Sequence, residues 1–121
     1  MLQQEEFSIS TERYDGCFVV AVAGELDELN AAALERTLTQ HENGPPVIVD
    51  LSEVTFICSS SLRVLLRGRL GGRPALVAPN RNVAKVLEIV EATRTNPVFG
   101  DLGSALQSIR LSNLDGTGWT A

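Results

Sequence analysis

The sequence predicts a single α/β domain with a mixed central sheet of about five strands and about four helices. Three observations carry this. Cys17–Ala23 (CFVVAVA), Val47–Val49 and Ala75–Ala78 are short, nearly continuous apolar runs, as in strands covered on both faces. The stretches between them space their apolar residues at helical intervals, and strand–helix–strand units favour parallel pairing. Near the start, an alternating segment meets Asp15-Gly16, a strong hairpin signal, so the first two strands pair antiparallel. A chain of 121 residues suits one core, and no internal repeat is visible.

In order, Phe7, Ile9 and Thr11 alternate with polar neighbours and form a half-exposed strand. Cys17–Ala23 returns beside it as a more central strand. Gly24-Glu25-Leu26-Asp27 ends that strand, and Asp27 is placed to N-cap a helix from about Glu28 to His41. Ala31, Leu34 and Leu38 mark its buried side. Asn43-Gly44-Pro45-Pro46 stops it with a left-handed residue followed by prolines. Val47–Leu51 is the central strand. Asp50 and Ser52 are expected to break it, and Val54, Phe56 and Ile57 to bring the chain back to the core. Ser59, Ser60 and Ser61 open a helix reaching Leu70 along Leu62, Leu65, Leu66 and Leu70, with Arg63, Arg67 and Arg69 outside the apolar stripe. A Gly- and Pro-rich link leads to the strand Ala75–Ala78. Asn80 caps a helix with Val83, Val86, Leu87 and Val90 on one face. Residues 91–96 read as a loop and Val98-Phe99 as a short last strand. Asp101 caps a final helix with Leu102, Ala105, Leu106 and Ile109 on one side. The domain is expected to span residues 1–111. Residues 112–121 (SNLDGTGWTA), which contain Trp119, lack periodicity and read as a disordered tail.

Composition narrows the function. A net charge of −5 argues against a general binder of nucleic acid or anionic membranes. No apolar run approaches the roughly 20 residues that span a bilayer. The segment MLQQEEFSIS lacks the features of a signal peptide, so a cytoplasmic location is expected. Cys17 and Cys58 are too few for a disulfide framework or a four-ligand zinc site, and are expected to be buried thiols that do not pair. His41 is expected at an exposed helix end. No G-x-G-x-x-G follows a strand, no lysine completes a phosphate loop and no G-x-S-x-G surrounds the serines, so no cofactor or metal is expected. Cys58 has no matched base, which speaks against an enzyme. A small thiol-dependent redox protein using Cys58 remains as a third reading.

The serines carry the functional signal. A serine at a helix start can accept a hydrogen bond from a free backbone N–H and act as a cap. The same place suits a phosphate, because N–H groups and the helix dipole both favour an anion there. Three serines in a row exceed what one cap needs.

The stretch Asp50-Leu51-Ser52, Val54, Phe56-Ile57, Ser59-Ser60 and Leu62 resembles the signature of the STAS domain, as in bacterial anti-sigma factor antagonists. Gly24-Glu25-Leu26-Asp27 is similar to the G-E-L-D of the same family. The likeness spans roughly residues 7–111 and implies helices packed mainly on one side of the sheet. It also implies an antagonist that binds a serine-kinase anti-sigma factor, is switched off by phosphorylation and so regulates transcription, with a phosphoserine phosphatase as a further partner. Carried over, the phosphorylated serine is Ser59, with Ser60 as the alternative. The partner surface comprises Glu25, Asp27, Cys58, Ser59, Ser60, Ser61, Arg63 and Arg67, although the two arginines also fit a purely solvated helix face. Cys58 stands where the family has an acid, and Ser61 where it has glycine. Those departures motivate an alternative: a STAS-type interaction module without a phosphorylation switch, in a stress-signalling or transport complex.

Overall fold

The computed structural model describes the backbone of residues 6–14, 16–69 and 71–115. Asp15 of the expected hairpin, Leu70 and the tail from residue 116, with Trp119, lie outside the described residues. The elements are β1 (Ser8–Tyr14), β2 (Cys17–Leu26), α1 (Glu28–Gln40), β3 (Val47–Ile57), α2 (Ser59–Leu66), β4 (Ala75–Val77), α3 (Arg81–Ile89), a 3₁₀ turn (Ala92–Arg94), β5 (Val98–Phe99) and α4 (Leu102–Asp115). The five strands lie in sequential order, β1-β2-β3-β4-β5. The β1–β2 pair is antiparallel and the other three pairs are parallel, as the hairpin and the strand–helix–strand spacing predict.

Alternation along the strands divides the core. Val20, Val22, Val49, Leu51 and Leu76 face α1, α2 and α3, where they pack with Leu34, Leu38, Leu65, Val83 and Leu87. Cys17, Val19, Ile48, Ala75 and Val77 face the other way, against Ala105 and Ile109 of α4. Three helices therefore share one face, and α4 alone covers the other.

The caps fall where the sequence places them. Asp27 accepts from the Asn30 N–H at 2.9 Å, Asn80 from the Asn82 N–H at 2.9 Å and Asp101 from the Ser104 N–H at 2.7 Å. Asn43, at φ +68°, supplies the left-handed residue after α1. Gly24 sits at φ +93°, and a Cβ there would lie 3.0 Å from Glu6 O and Phe7 Cα, so β2 can pass the start of the chain this closely only without a side chain.

Several expectations are corrected. β3 is one unbroken strand of eleven residues. Asp50 and Ser52 do not interrupt it, because the Asp50 carboxylate accepts from the Ser52 N–H at 3.0 Å and from its hydroxyl within the strand. Two register shifts against β2 accommodate the irregularity. At the second shift Thr55 is the extra residue, and Thr55 and Phe56 are both exposed, so Phe56, at 51 % exposure, does not return to the core. Helix α2 stops at Leu66, four residues early, as Arg67 turns to an extended conformation. Its last carbonyls are taken by side chains: Arg69 donates to Val64 O (3.0 Å), Asn96 to Leu65 O (3.0 Å) and Arg73 to Leu66 O (3.1 Å). The Arg69 side chain is thus buried, not outside the stripe, and it also pairs with Glu35 at 2.7 Å and Glu42 at 3.4 Å. The expected loop at 91–96 holds a 3₁₀ turn with Ala92 and Asn96 buried. Val90 is the C-cap of α3 and is exposed rather than part of its buried face. His41 is half-buried, its ring 4.4 Å from that of Phe18. Helix α4 continues to Asp115, past the expected boundary at 111. Cys17 and Cys58 do not pair with each other, as expected, but only Cys17 is buried. Among the described residues, no helix is long and apolar enough to cross a membrane.

Candidate functional site

The site lies where β2 and β3 end side by side. Glu25 is in register with Phe56, and Leu26 with Ile57. From there β2 turns into α1 through Asp27, and β3 turns into α2 through Cys58. The Cys58 N–H donates to Leu26 O at 2.9 Å, so the two turns are tied by the backbone. Glu25, Asp27, Cys58 and the three serines, distant in sequence, meet here.

The serines divide by burial. Ser59 is the first residue of α2 and is exposed; Ser60 is half-buried. Ser61 is fully buried, and its hydroxyl donates to Leu26 O at 3.0 Å, with a longer contact to Asp27 O at 3.4 Å. Its side chain lies beneath the surface and cannot itself meet a partner; it holds the start of α2 against the end of β2. The N-cap is Cys58, which makes no capping hydrogen bond, so the expectation of a serine cap is corrected. A thiol is a poor acceptor, and the helix starts without one.

The Cys58 thiol touches the Ser61 hydroxyl at 3.7 Å. Burial pushes its pKa up, but the Ser61 and Ser60 N–H groups and the Ser61 hydroxyl outweigh this and hold it below the ordinary thiol value, against the opposing Glu28 carboxylate. The Asp27 side chain is engaged as the α1 cap, while Glu25 and Glu28 are exposed. Glu25 contributes its carbonyl, which accepts from the Asn30 side chain at 2.9 Å.

Down α2 from Ser59 runs an open depression, with Leu62 and Leu66, Arg63 and Arg67, and Val90 at the end of α3. Arg67 pairs with Glu35 of α1 and keeps its side chain 56 % exposed. Arg63 is exposed and has no hydrogen bond or ion pair among the described residues. Glu35 draws both Arg67 and Arg69 to α1. The Arg69 hydrogen bond leads in lowering its pKa below the ordinary carboxylate value, against a smaller opposing effect of burial, and the charges of both arginines add to the lowering. Exposed Phe56, Leu29, Ile89 and Val90 add apolar surface. Helical spacing marked Leu62 and Leu66 as apolar but could not show that α3 leaves them partly open. Glu35 and Asn96 gave no sequence signal, because each acts on elements far along the chain.

Among the described residues no cluster of histidine, cysteine and carboxylate could hold a metal. The ends of β2 and β3 thus present three serines at different depths, Ser59 exposed, Ser60 half-buried and Ser61 buried.

Comparison with known proteins places this geometry. Anti-sigma-F factor antagonist RsfB of Mycobacterium tuberculosis is 25 % identical over 121 residues, covering 95 % of this chain and 99 % of that protein. A crystal structure of an anti-sigma factor antagonist from Mycobacterium paratuberculosis superposes with a TM-score of 0.76 at 29 % identity, covering 87 % of this chain and 95 % of that one. The unphosphorylated form of the anti-sigma factor antagonist SpoIIAA shares the fold, with a TM-score of 0.65 at 18 % identity over 85 % of this chain and 96 % of that one. The STAS domain model matches residues 8–105, most of the chain, and the chain belongs to the STAS domain family.

Proposed function

We propose that this protein is an anti-sigma factor antagonist of the bacterial cytoplasm. It binds a serine-kinase anti-sigma factor through the ends of β2 and β3 and the start of α2, and phosphorylation of Ser59 releases it. It acts by binding and not as an enzyme; a phosphoserine phosphatase resets it. The observation that carries this reading is the division of the serines. Ser61 is buried and bonded, Ser60 is half-buried, and Ser59 is exposed at the head of the depression along α2. A kinase can reach that hydroxyl, and a partner seated on Leu62, Leu66 and Val90 would cover it. Phosphate adds about −1.5 to −2 charges there at neutral pH, beside Glu25 and Glu28. Glu25, Cys58, Ser60, Arg63 and Arg67 complete the proposed footprint with Ser59. Asp27 and Ser61 shape it from beneath.

The test compares Ser59→Asp with Ser59→Ala against the cognate anti-sigma factor. The aspartate form is expected to bind at least about tenfold more weakly, roughly 1.4 kcal/mol. The alanine form binds like the parent and takes no phosphate from the kinase and ATP. Thermal melts run alongside. Because Cys58 and not Ser59 is the N-cap, alanine at this exposed position changes stability by less than about 0.5 kcal/mol. Equal binding by the aspartate form, or phosphate on Ser60 in place of Ser59, overturns the assignment. The uncapped Cys58 favours a second reading, a STAS interaction module without the switch, which predicts binding with no phosphate transfer at all.

A further inference from the structure

We propose that Arg63 captures the phosphate of phosphorylated Ser59 within the same chain. The proposal rests on the Ser59 assignment above and concerns what the fold does once that hydroxyl is modified. A helix start alone would not single out this place; the arrangement of the arginines does. Ser59 and Arg63 are four residues apart in α2, so their side chains leave the same face one turn apart. Both line the depression along the helix. The neighbouring arginines are committed: Arg67 to Glu35, Arg69 to Glu35 and Glu42, and Arg73 to Leu66 O. Arg63 alone among the arginines of this region has no partner in the described residues, and it is exposed. Its fork of N–H donors matches phosphate oxygens and its side chain is long enough to reach back one turn.

The surrounding charges make the pairing selective for the modified state. Glu28 at the start of α1 already acts on the Cys58 sulfur, and Glu25 is exposed at the end of β2. A dianion at Ser59, the residue after Cys58, would add to the negative charge of Glu28, and Arg63 is the uncommitted cation available to offset it. Capture changes the recognition surface twice. It adds a phosphate at the head of the depression, and it withdraws a cation that an unphosphorylated chain offers to a partner.

The experiment installs phosphoserine at position 59 during synthesis, so no kinase is needed. The second ionisation of the phosphate is then followed by phosphorus NMR across pH in the full chain, in R63Q and in R67Q. In the parent phosphoprotein it lies below the ordinary value of about 6. In R63Q it is expected to rise by about 0.5–1 unit, because an opposite charge within reach favours the dianion. In R67Q, where the lost partner is Glu35, it stays within about 0.2 unit of the parent. Identical titrations in the parent and R63Q, or a rise in R67Q and not in R63Q, overturn the proposal. Circular dichroism verifies the fold of each variant. Whether the cognate kinase modifies Ser59 is read separately from the mass of kinase-treated protein, so the two readings can fail independently.

Discussion

Replacing Asn96 by aspartate tests the reasoning about how α2 is held. Asn96 is 2 % exposed. Its amide donates to Leu65 O at 3.0 Å and to Pro74 O at 2.9 Å, and its oxygen accepts from the Thr95 hydroxyl at 2.7 Å. The substitution keeps the shape and removes the two N–H donors. Each buried carbonyl left without a partner costs about 1–3 kcal/mol, so the loss at neutral pH is about 2–6 kcal/mol, with about 4 as the working value. That is a large share of the 5–15 kcal/mol typical of a whole domain. The effect also depends on pH. The new carboxyl faces two carbonyl oxygens in a dry site, so its charged form is disfavoured and its folded pKa rises above the unfolded value of about 3.9. A raised folded pKa means that the carboxyl's contribution is fully present below the unfolded pKa and is lost as pH rises through the folded pKa. Protonated, the group can still donate to one carbonyl, and the deficit shrinks to about 2 kcal/mol. Urea unfolding followed by far-UV circular dichroism, for the parent and N96D at pH 7 and near pH 4, measures the difference. A deficit below about 1 kcal/mol at pH 7, or one that does not shrink on acidification, would refute the reasoning.

Three further outcomes are expected. Cys58→Asp supplies the missing acceptor at the α2 start and stabilises the fold by about 0.5–1 kcal/mol in a thermal or urea melt, while changing kinase-dependent phosphorylation of Ser59 more than folding. Gly24→Ala strains a left-handed residue and presses on Glu6 O and Phe7 Cα; it lowers stability by more than about 1–2 kcal/mol, with loss of amide protection concentrated in β1. Glu35→Gln removes a carboxylate whose pKa is lowered chiefly by its Arg69 hydrogen bond. The parent's stabilisation is present above the ordinary carboxylate value and lost as pH falls through the lowered one, so the variant shows a shallower loss of stability below about pH 4.5.

The local devices of this fold are readable from sequence. Asp27, Asn80 and Asp101 cap because a short polar side chain before a helical pattern has few other uses, and Asn43 terminates α1 for the same kind of local reason. The apolar runs named the inner strands, and the family likeness pointed to the end of β2, which lies in register with the end of β3. What sequence could not supply are bonds between distant positions. Asn96 lies 31 residues from Leu65, and Glu35 lies 34 from Arg69. Those contacts decide where α2 ends and why Arg69 is buried. Phe56 departs from its expected core position because a register shift, which periodicity does not reveal, turns it outward. The meeting of the two strand ends was legible in sequence but not the layering of the serines, with Ser61 buried, Ser59 exposed and Cys58 an N-cap whose side chain makes no capping bond.

The placement of α4 bears on how the chain is made. Each strand of the sheet lies beside its predecessor, so a growing chain can add β2 through β5 to a sheet already begun, with α1, α2 and α3 closing one face as they emerge. The second face, built from Cys17, Val19, Ile48, Ala75 and Val77, waits for Ala105 and Ile109 of the final helix. Until then a nascent domain presents an apolar sheet surface to its surroundings, the kind of surface that chaperones cover. The proposed partner surface, by contrast, belongs to elements that precede α4 and lies across the sheet from it. Sequence change on the outer side of α4 is therefore free to follow the needs of synthesis and solubility without touching the residues around Ser59.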